Sequence, residues 1–366
     1  MRAAERLQRL RELMAGQGLD ACVCRSTTSL QWLTGFEGVF DSEEAHTALV
    51  TASGAVIHTD RRYAAAMGAA AEGEGLWRVD AGPASAAVFL ARELERCGLE
   101  AGTVAIDSST PLDLYRSYCE RLPRAVLAER SGDILALRQV KEPAELQAMR
   151  RAQAIAEAAF LETVEGMAPG QSEAQVSLAL EFAMRSRGAQ ELAFANIVAS
   201  GPNSANPHAV PGSRVLQEGD MVVIDFGARV DGYRSDTTRT LCVGRPSARQ
   251  LAVYNAVRLA NEEVQRRLQP GVTGIEMHKL AEQVLEQEGF GGLMGHGLGH
   301  GVGLDIHEEP CLNLRNSQPL PAGAVVTVEP GVYLSGEFGV RTEDCGLVAE
   351  QGFESFCTLT HELICV

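Results

Sequence analysis

The 366-residue chain has no run of 18 apolar residues, no C-x-x-C pair, no repeat with a period of 20 to 50 residues and no proline-rich linker. Each absence removes a class of protein. Without a long apolar run, no membrane-spanning helix is expected. Leu7, Leu10 and Leu13 lie at helical spacing among charges, unlike the apolar centre of a signal peptide, so a cytoplasmic protein is expected. The nine cysteines are an odd number, and Cys22 and Cys24 are spaced as on one face of a strand. Reduced thiols are therefore expected rather than a disulfide framework or a thiolate metal site. Basic charge is also short: 32 Lys and Arg against 48 Asp and Glu give a net charge of -16. Such a chain repels phosphate backbones and anionic lipid, so neither nucleic acid nor a membrane is an expected partner. What remains is an ordinary globular composition, 45% apolar and 22% charged, in a chain long enough for two domains.

Up to about residue 130, short apolar strands such as "DACVC", "TVAID" and "AVLAE" alternate with helical stretches at 84–97 and 111–122, an α/β pattern. Pro143 suits the first turn of a long helix, and a domain boundary is expected at 131–140. Another helix should start after Ser172, whose hydroxyl can cap free amides. Strands are predicted at 192–200, 221–229, 232–243, 323–334 and 338–349, and helices at 247–268 and 273–289. The second domain should be a curved antiparallel sheet covered by helices.

The chemistry concentrates on two hairpins. A turn at Asp231-Gly232 makes Asp225 and Asp236 diagonal neighbours on one face, and a turn one residue earlier sets them directly opposite. Glu329 and Glu343 meet in the same way across a turn centred on Gly336. Paired like charges flanked by apolar runs such as "MVVI" and "AVVTV" call for a compensating cation. For either hairpin alone, solvation on an open face is the alternative.

A third segment, "GHGLGHGVGLDIHEEP", carries His296, His300 and His307. Its glycines argue against a helix, and no Glu lies between the first two histidines, so the zincin pattern does not apply. An extended or looping segment is expected, with imidazoles available. Four carboxylates and one imidazole form a mostly oxygen donor set, enough for two divalent ions. Mn²⁺ suits it, with Co²⁺, Zn²⁺ and Fe²⁺ as alternatives. Two such ions sharing a water bring its pKa toward neutrality, so hydrolysis by a metal-bound hydroxide is the expected chemistry.

These segments resemble the pita-bread-fold metallopeptidases, which include Xaa-Pro aminopeptidase, Xaa-Pro dipeptidase (prolidase) and methionine aminopeptidase. The resemblance rests on five elements in order: "NPHAVPGSR", "IDFGARVDGYRSDTTRT", "HGLGHGVGLDIHEEP", "VEPGVY" and "GVRTEDCGLV". It implies Asp225, Asp236, His300, Glu329 and Glu343 as metal ligands, with Asp236 and Glu343 bridging both ions. It implies catalytic roles for Glu343, which handles the proton of the attacking water, and for His208 and His307, which stabilise the scissile carbonyl. It implies that His296, Tyr333 and Arg341 shape the pocket for the residue after the cut. "RLQRLRELMAGQGLDACVC", "LQWLTGFEG" and "VIHTDRRY" resemble the creatinase-type N-terminal domain, which disfavours methionine aminopeptidase. The implied architecture is an α/β creatinase-like domain over 1–132 and an α+β pita-bread catalytic domain over 133–366. The implied function is release of the N-terminal residue from short peptides, ahead of proline, by a homodimer. An aminopeptidase without strict proline preference and a non-catalytic peptide-binding protein stand as alternatives.

Overall fold

Pro143 opens the helix Pro143–Glu165, as its fixed φ and missing N–H favour, and the boundary between two compact units falls just before it, between Arg138 and Gln139. The computed structural model describes residues 3–41, 43, 45–72 and 75–366; residues 1, 2, 42, 44, 73 and 74 of the expected N-terminal domain lie outside it.

The first unit is built on a six-stranded sheet in the order Arg78–Asp80, Ala55–His58, Thr47–Thr51, Ala21–Cys24, Thr103–Ile106, Val126–Glu129. The last three run parallel, as the alternation of strands and helices predicts, and Thr47–Thr51 forms an antiparallel hairpin with Ala55–His58. The helix Ala86–Cys97 starts where the Ser85 hydroxyl accepts from the Val88 amide. Its Phe89, Leu90 and Leu94 are buried with Val23, Val104 and Tyr118 in one core.

In the second unit the helices begin at capping boxes, Ser172 with Gln175, Ser247 with Gln250 and Thr273 with Glu276. Phe160 of the long helix stacks on Phe226 of the strand Met221–Phe226, with centroids 4.9 Å apart, and fixes helix to sheet. Asp231 and Gly232 have φ of 51° and 83°, the conformation a two-residue hairpin turn requires. That turn sets Thr238, not Asp236, opposite Asp225, so the two aspartates are diagonal neighbours. In the other hairpin Val328 pairs with Asp344 and Gly331 with Arg341, which leaves Glu329 facing Glu343 between them.

Two expectations need correction. The runs read as continuous strands are each interrupted, at Gly227, at Ser235-Asp236, at Glu329-Pro330 and at Thr342-Glu343. The run at 192–200 splits into Glu191–Leu192 and Ile197–Ser200. The cause is local: a Cβ on Gly227 would lie 2.1 Å from the Ser235 carbonyl oxygen, closer than a regular ladder brings two chains, and Pro330 has no N–H for a ladder. The strands also divide among several sheets, and the one that holds Met221–Phe226 and Thr237–Cys242 is mixed rather than wholly antiparallel, because Ile364–Cys365 adds to Leu241 and Cys242 in parallel. Among the described residues no helix is long and apolar enough to cross a membrane. All nine cysteines are free thiols.

Candidate metal centre and active site

The interruptions fall where the carboxylates gather. A bridge between Thr238 and Glu343 joins the two hairpins, with the Glu343 amide donating to the Thr238 carbonyl at 3.1 Å and the Thr238 hydroxyl donating to Glu343 Oε2 at 2.8 Å. Next to it, the Thr240 hydroxyl donates to the Arg341 carbonyl at 2.8 Å and accepts from the Arg341 amide at 3.0 Å. Thr238 and Thr240 thereby bring Asp225, Asp236, Glu329 and Glu343 to one wall of a cavity of about 470 Å³.

His300 enters from the glycine-rich segment, which is a short strand, Gly299–Gly301. A Cβ on Gly299 would sit 2.1 Å from the Thr327 carbonyl oxygen, so only glycine lets this strand lie so close to Val325–Val328. The His300 amide donates to Thr327 Oγ1 at 3.1 Å, and that hydroxyl donates to Glu329 Oε1 at 3.3 Å. Thr327 thus orients imidazole and carboxylate together. His300 Nε2 lies 3.5 Å from Asp236 Oδ2 and 3.4 Å from Glu329 Oε1. Ligand atoms of Asp236, His300 and Glu343 all fall within 4.8 Å of one another, as for groups that share an ion.

Among the described residues lining the cavity, Arg341 is the one guanidinium, and each of its three nitrogens is hydrogen-bonded. Arg341 donates from Nη2 to Asp225 Oδ2 at 2.7 Å, from Nη1 to Tyr333 at 2.9 Å and to the Pro207 carbonyl at 3.2 Å, and from Nε to Thr238 at 3.1 Å. It cannot neutralise four carboxylates. Burial, then repulsion from its neighbours, pushes Asp236 and Glu343 well above the usual carboxylate range. Burial raises Glu329 to about 8 and lifts Asp225 even though Arg341 opposes the shift. Burial also drives His296 and His300 down to about 4, leaving both neutral and able to act as ligands or acceptors at neutral pH. Asp225 Oδ1 is buried with no hydrogen-bond partner, so the chain's own donors do not complete this carboxylate. Two buried and two half-buried carboxylates with a neutral imidazole are a donor set that divalent cations fit.

The remaining residues singled out in the sequence line the same cavity or flank it. His296 Nε2 is 2.9 Å from the Tyr333 hydroxyl, and its Nδ1 is 2.7 Å from the Gly297 carbonyl, which fixes the ring. His307 packs edge-on against His300 with centroids 4.4 Å apart, and it and His208 are the exposed histidines of the lining. The sequence did not single out Thr238, Thr240 and Thr327, because each acts through a partner distant in sequence or on another strand. Of the remaining lining, the sequence singled out His208 within Pro207 to Pro211 but not Phe194 to Ile197. The sequence predicts strand over 192–200, and the apolar residues there carry no other signal.

Residues 147–350 match the model of metallopeptidase family M24, and residues 6–140 match the creatinase/prolidase N-terminal domain. The chain belongs to metallopeptidase family M24 and carries the creatinase-type domain ahead of the pita-bread domain. It is a hydrolase of the metallopeptidase class, and the family implies divalent metal. Among its relatives is an uncharacterised peptidase, YqhT of Bacillus subtilis, 35% identical over 98% of this chain and 99% of that one. Among solved structures, an Xaa-Pro dipeptidase from Bacillus anthracis superposes with a TM-score of 0.92 at 34% identity over 100% of both chains. An X-Pro aminopeptidase from Thermotoga maritima does so with 0.85 at 32% identity over 95% of this chain and 98% of that one.

Proposed function

We propose that this protein is a dinuclear exopeptidase that releases the N-terminal residue of short peptides, with preference for an Xaa-Pro bond. The observation that carries the reading is the convergence in one cavity of His300 with two buried carboxylates, Asp236 and Glu343, and two half-buried ones, Asp225 and Glu329, offset by Arg341. Asp225, Asp236, His300, Glu329 and Glu343 are assigned as ligands of two divalent ions, Mn²⁺ first, with Asp236 and Glu343 shared between the ions. When bound, such ions cancel the excess charge and acidify a shared water for attack on the peptide carbonyl.

This chain's own residues do the rest. Glu343, whose carboxyl is raised well above its usual range, can hold the proton that the attacking water gives up. His208 and His307, the exposed histidines of the lining, are assigned as donors to the scissile carbonyl oxygen as it gains charge. His296, Tyr333 and Arg341 are assigned as the wall that shapes the site for the residue after the cut. Their mutual hydrogen bonds make that wall rigid, which suits selection of a proline ring by shape. Proline also removes the amide N–H, so a site that offers no acceptor there loses nothing by accepting it. Nine free thiols support work in a reducing compartment, the cytoplasm, and a homodimer is the assembly assigned.

The names of the two superposed structures divide between dipeptidase and aminopeptidase, so substrate length is part of the test. Chelator-stripped protein is assayed on Xaa-Pro, Xaa-Pro-Yaa and Xaa-Ala-Yaa with and without Mn²⁺. Metal-dependent cleavage of the two proline peptides is expected. Equal turnover of Xaa-Ala-Yaa would remove the proline preference, and no metal-dependent turnover of any peptide would remove the catalytic reading.

A further inference from the structure

A second cavity, of about 480 Å³, adjoins the first at His296 and Gly297, and its far walls include His278 and Glu282 of the helix Gly274–Gln287 and the loop residues Asn313 and Arg315. Gly297 stands between the two, and a Cβ there would come into van der Waals contact with Asn313 Cβ at 3.4 Å. Glu282 already accepts from the Gly292 amide at 3.2 Å. Arg315 is exposed and has no carboxylate within ion-pair distance among the described residues, in a chain whose net charge is -16. Its backbone is nonetheless fixed. Asn313 Oδ1 accepts from the amides of Arg315 and Asn316 at 2.8 and 3.2 Å, and Asn316 Nδ2 donates to the Cys311 carbonyl at 2.8 Å. A guanidinium on a self-bonded turn, without a partner and facing a cavity, is a receptor for an anion, and its fork matches a carboxylate.

We propose that this second cavity is the subsite for the residue that follows the one held at His296, and that Arg315 binds the C-terminal carboxylate of a tripeptide there. The inference rests on the assignment of His296 to the side of the site after the cut. One extended residue advances a peptide by about 3.3 Å, so the third residue of Xaa-Pro-Yaa is carried past Gly297, whereas Xaa-Pro ends before it. The protein is then built to accept more than dipeptides, and the free carboxylate of a tripeptide is a recognised group. Because Arg315 is exposed, the gain is modest and screened by salt, about two- to fivefold in kcat/KM.

The test compares kcat/KM for Xaa-Pro-Yaa with a free carboxylate and for its C-terminal amide, at low and high salt. It is run on the Mn²⁺-loaded wild type, Arg315→Met and Arg315→Lys. The wild type should prefer the acid about two- to fivefold, with the preference shrinking at high salt. Arg315→Met should lose the preference with an unchanged melting temperature, and Arg315→Lys should keep part of it. An equal acid-to-amide ratio in wild type and Arg315→Met overturns the subsite. Turnover of Xaa-Pro with none of Xaa-Pro-Yaa overturns it too, while leaving the peptidase reading intact. No turnover of any peptide overturns that reading and the subsite with it.

Discussion

Glu343 and Asp344 are adjacent in the chain and almost fully buried, yet they meet opposite electrostatic surroundings. Side chains alternate across a strand, so Glu343 points to the cavity and Asp344 to the other face. On that other face Arg239 donates to Asp344 Oδ1 at 2.7 Å, and His361 and Gln265 hold Oδ2 at 2.7 and 2.6 Å. Burial works against the ionised Asp344, but Arg239 and His361 outweigh it and hold its carboxyl well below the usual range. Glu343 is driven the other way, by burial first and then by Asp236, Glu329 and Asp225. Thr238 and Arg239 repeat the division one strand over: the threonine reaches Glu343, and the arginine reaches Asp344. One face of the sheet is complete in the protein alone. The other carries more carboxylate than the protein's own donors offset, which is the difference between a structural ion pair and a candidate binding site.

The comparison can be broken most severely at Asp236. Asp236→Ala should remove metal binding and peptide hydrolysis together; metal analysis beside the peptide assay reads both, and retained turnover would contradict the ligand assignment. On the complete face, Asp344→Asn should leave Arg239 buried without its counter-charge and cost about 3–5 kcal/mol in denaturant unfolding. Metal content of the folded fraction should stay at the wild-type level. A variant with normal stability and no metal would mean that the two faces are not separate.

His307→Ala should lower kcat by about 10²–10³ with metals retained, the effect of losing one donor to a developing oxyanion. Loss of the metals instead would reassign that histidine to the ligand set. The gentlest test uses pH. In chelator-stripped protein, Glu329 is raised from 4.5 to about 8, so the native state keeps a proton that the unfolded chain releases. Stability contributed this way is present below the unfolded value and is lost as pH rises toward about 8. Unfolding midpoints of the stripped protein should therefore fall between those pH values. Saturating Mn²⁺, which binds the deprotonated groups, should reverse the trend.

Much of this was legible in the sequence because hairpin arithmetic is local. Asp231-Gly232 and Gly336 fix both turns, and the turns bring Asp225 to Asp236 and Glu329 to Glu343. The glycines around His300 announced close packing without a helix. What the sequence did not disclose is non-local. The bridge from Thr238 to Glu343 links elements from separate hairpins, and no periodicity records it. The strand interruptions at Gly227 and Glu329-Pro330 were hidden because apolar runs continue across them, although the interruptions are where the chain turns its carboxylates inward. The parallel pairing of Ile364–Cys365 depends on where the chain end returns, which a short apolar segment cannot specify.

The most direct measurement of the central claim is a titration of chelator-stripped protein with Mn²⁺, following bound metal per chain and hydrolysis of Xaa-Pro in the same samples. The account predicts two ions per chain, with activity regained as the site fills. Full hydrolysis in the presence of chelator, or fewer than one ion per chain at saturation, would contradict it.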